Sequence, residues 1–238
     1  LEPRSPEGLE QIVQIRAIDN SLDEVLVGGS AAYYTDSQQG IEKALPLAAG
    51  WIIISTLILL FLFTGSVILP IKAIVLNILS LGATLGLVSW IFQNGHLQWL
   101  LGEYSVTGTI DTSSVVMIAV VAFGLSMDYE VFLLSRIKEE YDRTGDNATA
   151  VADGLTATAR VITAAALIMV FVFAAFVLGH DRQLKLFGLG LATAVFIDAT
   201  IVRMVLVPAT MELLGNKNWW IPAWLNKLLP KIDVEGHH

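Results

Sequence analysis

Three long stretches of the chain contain no charged residue. They cover residues 44–71, 73–102 and 161–180, with 28, 30 and 20 consecutive residues that are not Asp, Glu, Lys or Arg. A helix crosses a bilayer with about 20 predominantly apolar residues, and core helices of soluble proteins seldom stay uncharged for so long. The pattern predicts five membrane-spanning helices, over residues 45–65, 71–92, 114–136, 161–179 and 186–213.

The first two predicted helices are joined by only a few residues. Gly65, Ser66 and Pro70 lie between the two apolar runs, and such residues interrupt helices. We therefore expect helices 45–65 and 71–92 to form a tight antiparallel hairpin.

The residues before the first predicted helix are more polar. Glu24–Val27 is typical of a short strand, and Ser30 is typical of the N-cap of a helix that continues to Ala44. A segment of this length is too short to bury a core of its own. We expect residues 1–43 to be the α/β remnant of an extracytoplasmic domain, and the fold class to be an all-α membrane protein.

Two further polar segments complete the predicted organisation. Residues 137–160 form a helical connector in which Asp146 or Asn147 begins an Ala-rich helix leading into the fourth span. The membrane bundle occupies residues 44–215, and residues 216–238 form an interfacial tail. That tail carries the Trp and Lys side chains typical of a membrane anchor: Trp219, Trp220, Trp224, Lys217, Lys227 and Lys231.

Composition agrees with a membrane protein and excludes several other classes. Hydrophobic residues make up 55% of the chain and charged residues 15%, whereas soluble domains carry about 25% charged residues. The absence of cysteine excludes disulfides and thiolate metal sites, and we expect no metal and no cofactor. The net charge of −8 argues against nucleic acid as a partner.

Lys and Arg are divided unevenly between the two sides of the predicted bundle. Eight lie on the side that the chain reaches after its first span and five on the other, whose 93–113 loop has none. Loops rich in Lys and Arg stay in the cytoplasm. We expect a multi-pass protein of the plasma (inner) membrane with a cytoplasmic C-terminus.

Four charged residues lie inside the predicted spans and away from their ends: Asp128, Glu130, Asp198 and Arg203. An ionised group at the bilayer centre costs about 2.5–3.5 kcal/mol on insertion scales, so such residues usually face the protein interior and line ion paths. Counted from the starts of their spans, Asp128 and Asp198 lie within about 3 Å of each other in depth. They are candidates for one polar layer.

Each of these residues has a plain structural alternative. A desolvated Asp128 suits a group that takes up and releases protons, and Tyr129 beside it can donate a hydrogen bond. Asp128 held by fixed hydrogen bonds remains the alternative. Glu130, about 200° around the helix from Asp128, is expected to be an interfacial or structural charge.

Asp198 and Arg203 are five residues apart, which is about 140° around an α-helix. This spacing predicts that they do not form a direct ion pair, and that Arg203 either pairs with an acid on another helix or reaches towards the cytoplasmic side. Small residues predict close helix packing at Gly82 and Gly86, at Gly190 and Ala194, and at Gly124.

Three stretches of the sequence resemble one family. They are FGLSMDYEVFLLSR at Phe123–Arg136, the segment Gly154–Thr163, and FIDATIVRM at Phe196–Met204. In this order they resemble MMPL (mycobacterial membrane protein large) proteins, a branch of the resistance–nodulation–division (RND) transporter superfamily. Val25–Gly29 is similar to the end of that family's second porter domain. The resemblance covers essentially the whole chain and corresponds to the C-terminal portion of the family.

The resemblance implies a proton-driven exporter or flippase of lipids or other hydrophobic molecules, and no enzymatic activity. Such proteins have two homologous halves. Asp128-Tyr129 matches the Asp-Tyr pair of the second half, which cross-pairs with an equivalent pair of the first half to relay protons. Asp198 and Arg203 match polar positions associated with the relay, and Ser126 is a neighbouring candidate. The implied partners are protons, a hydrophobic substrate, membrane lipids and the missing N-terminal half.

Two other classes of function stay open on the sequence. A non-transporting sterol-sensing or scaffold module could use the same fold, since fold does not fix function. An intramembrane aspartyl protease could use two aspartates at matched depth. Against the protease, Gly188-Leu189-Gly190 lies well before Asp198 rather than directly in front of it.

Overall fold

A computed structural model describes residues 6–18, 26–101, 110–179 and 181–226 of the chain. These residues are almost entirely helical, and they contain no strand. In chain order the elements are α1 (Pro6–Arg16), α2 (Ser30–Thr64), α3 (Ile68–Phe92), α4 (Gln98–Leu101), α5 (Thr112–Thr144), α6 (Asn147–Phe176), α7 (Arg182–Ile197), a π-helical segment (Asp198–Leu206), α8 (Val207–Leu214), a 3₁₀ turn (Gly215–Trp219) and α9 (Ala223–Asn226).

Five helices are long and apolar enough to cross a membrane, as the uncharged stretches predict. They are α2, α3, α5, α6 and the continuous run Arg182–Trp219 that joins α7, the π segment, α8 and the 3₁₀ turn. Several extend beyond the predicted spans, because polar turns such as the end of α5 continue the helix past its apolar part. The prediction of five spanning helices is confirmed.

The predicted strand before the first span is not seen. Glu24 and Val25 lie outside the described residues, and Leu26 and Val27 have no regular structure. Ser30 is the first residue of α2 and Gly29 its N-cap, with a φ of 107° that only glycine adopts freely. The prediction of Ser30 as the cap is wrong by one residue. Helix α2 then runs past Pro46 into the first span as one helix.

The helix boundaries predicted at Gly65 and at Asp146 or Asn147 are confirmed, whereas Pro70, predicted to lie between two helices, lies in the first turn of α3. Helix α2 ends at Gly65 in the left-handed conformation, with a φ of 67°, and α3 begins three residues later. Helix α6 begins at Asn147 with Asp146 as its N-cap, and the Asp146 carboxylate accepts the Thr149 amide at 2.8 Å. Hydrogen bonds from the hydroxyl and the amide of Thr149 lower the pKa of the Asp146 carboxyl.

The turns after α2, α5 and α8 lie at the same end of the bundle, which we call the tight-turn end. There the Ser66 hydroxyl donates to the Asn218 carbonyl. Asn147 donates to the Met211 carbonyl at 3.0 Å and accepts from the Trp219 indole at 3.0 Å. We call Ser66, Asn147, Asn218 and Trp219 the amide cluster. It joins three helix ends through neutral hydrogen bonds.

Two apolar cores lie on either side of a polar level in the bundle. The core near the tight-turn end includes Leu69, Leu133 and Met211, and the core towards the other end includes Phe92 and Ile118. The polar side chains between them come from α5 and from the π segment. Apolar packing therefore shields this level from both ends.

Only some of the small residues lie at close helix contacts. A Cβ on Gly190 would lie 2.9 Å from Ile118 of α5, which confirms the close packing predicted there. Gly82, Gly86 and Gly124 have nothing within 4 Å of a Cβ position, so no described helix packs closely against them. Much of the surface of α2 is likewise exposed, including Trp51, Ile54 and Leu59. Exposed apolar helix faces fit a protein surrounded by lipid.

Candidate functional site

One face of α5 carries the buried polar side chains. Ile118, Ala122, Ser126, Glu130 and Leu134 follow one another every fourth residue, and all five are buried. Side chains at this spacing lie on the same face of a helix. Ser126 and Glu130 therefore occupy consecutive turns between the two apolar cores.

The segment that faces them is a π-helix. The chain from Asp198 to Leu206 forms bonds such as the one from the Val207 amide to the Val202 carbonyl, five residues back. Pro208, at the start of α8, has no amide hydrogen and crowds the carbonyl four residues before it. The preceding turns therefore do not close as a regular α-helix, and π-turns of this kind often occur at functional sites.

The π-helix corrects the prediction that Asp198 and Arg203 are poorly placed for an ion pair. A residue in a π-helix lies over the residue five positions along, whereas in an α-helix the two side chains diverge. The Arg203 Nε donates to Asp198 Oδ2 at 2.8 Å. α-Helical spacing predicts no contact between the two side chains, and the wider π-helical turns bring them together.

Arg203 is the centre of a buried hydrogen-bond network. Besides Asp198, its guanidinium donates to the Ser126 carbonyl, to the Ser126 hydroxyl at 3.2 Å and to Glu130 Oε2 at 3.4 Å. The Ser126 hydroxyl in turn donates to Asp198 Oδ1 at 2.7 Å. We call Ser126, Glu130, Asp198 and Arg203 the charge cluster. Every member is at most 5% exposed.

The structure brings Ser126, Asp198 and Arg203 together but leaves Asp128 outside the charge cluster. Asp128 is exposed on the surface of α5, on the opposite side from the buried Glu130. Tyr129 lies between them: its ring is 5.3 Å from the Arg203 guanidinium carbon, and its hydroxyl is 3.5 Å from the Met169 sulfur. The Asp-Tyr pair thus has one member against the charge cluster and one on the surface.

Glu130 and Lys72 are also buried charges, and the sequence pattern does not single out Lys72. Glu130 is 3% exposed and Lys72 8% exposed, so both side chains are enclosed by neighbouring helices. Lys72 belongs to α3, and Glu130 acts on it electrostatically across the α3–α5 contact. One signal was nevertheless available, because Lys72 is the single charge between two uncharged stretches that together cover residues 44–102.

A small cavity lies beside the charge cluster, and a larger pocket lies far from it. The cavity, about 10 Å³, is lined by Ser126, Tyr129 and Asp198 among apolar neighbours, and this volume approaches that of one water molecule. The larger pocket, about 510 Å³, is lined by residues at the starts of α5 and α7, such as Asp111 and Asp181. It shares no residue with the charge cluster.

Comparison with known proteins gives a consistent set of relatives. The chain is 44% identical over 229 residues to the membrane protein SCO6666 of Streptomyces coelicolor, covering 96% of this chain and 32% of that protein. It is 42% identical over 232 residues to the trehalose monomycolate exporter MmpL3 of Mycobacterium tuberculosis, covering 96% of this chain and 24% of MmpL3. It is 37% identical over 209 residues to the mycolic acid-containing lipids exporter MmpL11 of Mycolicibacterium smegmatis, covering 88% and 22% of the two chains.

The chain spans about a quarter to a third of the length of these relatives. The model of the MMPL family matches residues 1–229, which is nearly the whole chain. The five apolar helices agree with a multi-pass membrane protein. The chain therefore belongs to the MMPL family.

Proposed function

We propose that this chain forms the C-terminal membrane part of an exporter of lipids or other hydrophobic compounds, driven by the proton-motive force. Its relatives MmpL3 and MmpL11 carry the names of lipid exporters. The observation that carries the proton coupling is the buried charge cluster around Arg203, which lies inside the helices long enough to span a membrane. Buried charges at membrane depth are costly and are typical of ion paths.

The exposed Asp128 supports a second half that supplies its partner. On an isolated apolar bundle this carboxylate faces outward, where lipid would impose a cost of about 2.5–3.5 kcal/mol on its ionised form. A polar group from another helix removes that cost. In the proposed relay, Asp128 exchanges protons with this second half, while Tyr129 connects it to Arg203 and Asp198.

The geometry favours this relay over a protease dyad. An aspartyl dyad needs two carboxyl groups that share a proton and activate water. Both oxygens of Asp198 already accept hydrogen bonds, from Ser126 and Arg203. Asp128 lies outside that cluster. Proton-driven export requires Asp128, whereas a sterol-sensing or scaffold role does not. The following experiment separates the two.

Replacement of Asp128 by Asn tests the proposed function. In a complete transporter that contains this segment, D128N is expected to abolish export driven by a pH gradient in proteoliposomes, because the amide takes up no proton. The matched control is D142N on the same helix, at an exposed Asp that pairs with Lys138. Full export by D128N contradicts the relay, and lipid binding without any pH-driven export favours the sensor or scaffold.

We also propose that the tight-turn end faces the cytoplasm, in keeping with the larger number of Lys and Arg expected there. The chain contains no cysteine, so single cysteines at the exposed Asn216 and Gln183 give an unambiguous test. A membrane-impermeant maleimide added outside sealed cells should label Q183C and leave N216C unlabelled. The reverse labelling contradicts this orientation.

A further inference from the structure

The buried polar level contains a second carboxylate that the proposed Asp-Tyr relay does not use. Glu130 lies one helical turn beyond Ser126 along α5, in the direction of the tight-turn end. It is 3% exposed and is held on one side by Arg203. A glutamate that is only an interfacial anchor would reach solvent or the bilayer surface, and Glu130 does neither.

Arg203 is shared unequally between two carboxylates. Its Nε lies 2.8 Å from Asp198, whereas its Nη1 lies 3.4 Å from Glu130. One guanidinium thus pairs closely with Asp198 and loosely with Glu130. If Asp198 takes up a proton, its attraction for Arg203 falls and Glu130 becomes the stronger partner.

Two buried polar atoms without a hydrogen-bond partner complete the arrangement. Among the described residues, neither Glu130 Oε1 nor Lys72 Nζ has one. The two charges nevertheless interact across the contact between α3 and α5. Buried polar groups are nearly always paired, and unpaired ones often occur at functional sites. Lys72 therefore compensates the charge of Glu130 without occupying its second oxygen.

We propose that Glu130 is a further proton-carrying carboxyl group of the path, between Asp198 and the tight-turn end, with Lys72 as its counterion. This inference rests on the proposed proton-driven function and adds one proton-carrying residue to the proposed path. The free oxygen of Glu130 receives the proton, and the ammonium of Lys72 promotes its release again by favouring the ionised carboxylate. Lys72 is a positioning residue and does not itself carry the proton.

The charges balance along this step. With both carboxylates ionised, Asp198 and Glu130 offset Arg203 and Lys72. A proton on Asp198 moves to Glu130 and leaves Asp198 ionised and paired with Arg203 at the shorter distance. The proton then leaves Glu130 towards the tight-turn end, which restores the first state. No other reactant is consumed.

The charged neighbours of Glu130 are few. Arg203 and Asp198 face it from the π segment and Lys72 from α3, while its own helix adds the exposed Asp128. Helices α6 and α7 also pack on α5. The charged residues of α6, Asp153 and Arg160, are exposed, and those of α7, Arg182 and Lys185, lie at its start, at the end away from Glu130. The part of α2 beyond residue 44 carries no charge. The pH response of this site is thus set by Arg203, Asp198 and Lys72.

The double variant E130Q/K72M separates a proton carrier from a structural ion pair. Replacing both members leaves no uncompensated charge, so the protein is expected to fold with a melting temperature close to that of the wild type. Export driven by a pH gradient in the complete transporter is expected to be lost to the level of D128N. Export at the wild-type rate by the folded double variant overturns the inference. The control is E139Q/K43M, at two exposed positions, which is expected to export normally.

The variant E130D keeps the inference testable if the double variant fails to fold. A shortened carboxyl group lies at a different distance from Arg203 and Lys72, so the pH at which export is half-maximal is expected to shift while export persists. A purely structural role leaves the pH profile in place, and an unshifted profile overturns the inference.

The outcomes distinguish this inference from the function on which it rests. Loss of export in D128N together with normal export in E130Q/K72M contradicts the role of Glu130 and leaves the proton-driven function standing. Normal export in D128N contradicts the proton-driven function itself.

Discussion

The charge cluster and the amide cluster are both polar and largely buried, and each has one buried oxygen without a hydrogen-bond partner, Glu130 Oε1 and Asn218 Oδ1. They differ in the charge of their side chains. In the amide cluster, Asn218 donates to the Met211 and Gly215 carbonyls at 2.7 Å each, and Trp219 also stacks on Tyr141 with ring centroids 4.0 Å apart. The charge cluster instead has one guanidinium shared between two carboxylates.

This difference separates a part that holds the bundle together from a part that can change state. Neutral amides bonded to backbone carbonyls have one favourable arrangement and do not titrate near neutral pH. A cation shared between two acids has two arrangements whose balance follows the position of a proton. The amide cluster therefore fixes the helix ends, and the charge cluster between the two apolar cores is the part suited to movement of protons.

Replacing Arg203 is expected to have the largest effect on stability, because Arg203 is the cation shared by both carboxylates of the charge cluster. R203Q leaves Asp198 and Glu130 buried with no cation on the π segment, and removal of one member of a buried ion pair costs about 3–5 kcal/mol. We expect this loss in the free energy of unfolding, measured by denaturation of the protein in detergent. R136Q, at an exposed pair with Glu139, is the control and should change it by less than about 1 kcal/mol. Wild-type stability in R203Q would show that Arg203 does not hold the charge cluster together.

Replacing Asn218 is expected to lower stability by less than R203Q does and to leave export unchanged. N218A removes hydrogen bonds to the Met211 and Gly215 carbonyls, which costs about 1–3 kcal/mol when the groups stay buried. Export per folded molecule should stay at the wild-type rate, because the amide cluster carries no proton. N216A, at the exposed neighbour, serves as the control for stability. A loss of export comparable to that of D128N would instead place the amide cluster in the transport cycle.

The sequence predicts the parts of this fold that depend on apolar length and on local caps. The five spans follow from the uncharged stretches, and Asp146 or Asn147 is predicted to begin α6 because both side chains suit an N-cap. The same reasoning selects Asp128, Asp198 and Arg203 as candidate site residues, because they are charges inside predicted spans. It does not place Asp128 on the surface, because composition does not tell which face of an apolar helix meets its neighbours.

The contacts inside the charge cluster depend on geometry that local patterns do not contain. The pairing of Asp198 with Arg203 requires a π-helix, which is rare and is seldom detectable from residue types. Lys72 is not distinguished by its sequence position near the hairpin turn, and helix packing buries it. Tertiary packing therefore decides which charges form the site.

The π-helix also determines how the residues that follow it are rotated about the axis of the last spanning helix. Each residue of a π-helix turns the chain by less than the 100° of an α-helix, so the faces of α8 are rotated relative to those of α7. Val207 and Met211 are completely buried in this phase, and the Met211 carbonyl accepts the side chains of Asn147 and Asn218. The same widened turns that pair Asp198 with Arg203 thus align α8 with the amide cluster. A change in the π-helical turns at the charge cluster would therefore rotate α8 at the amide cluster.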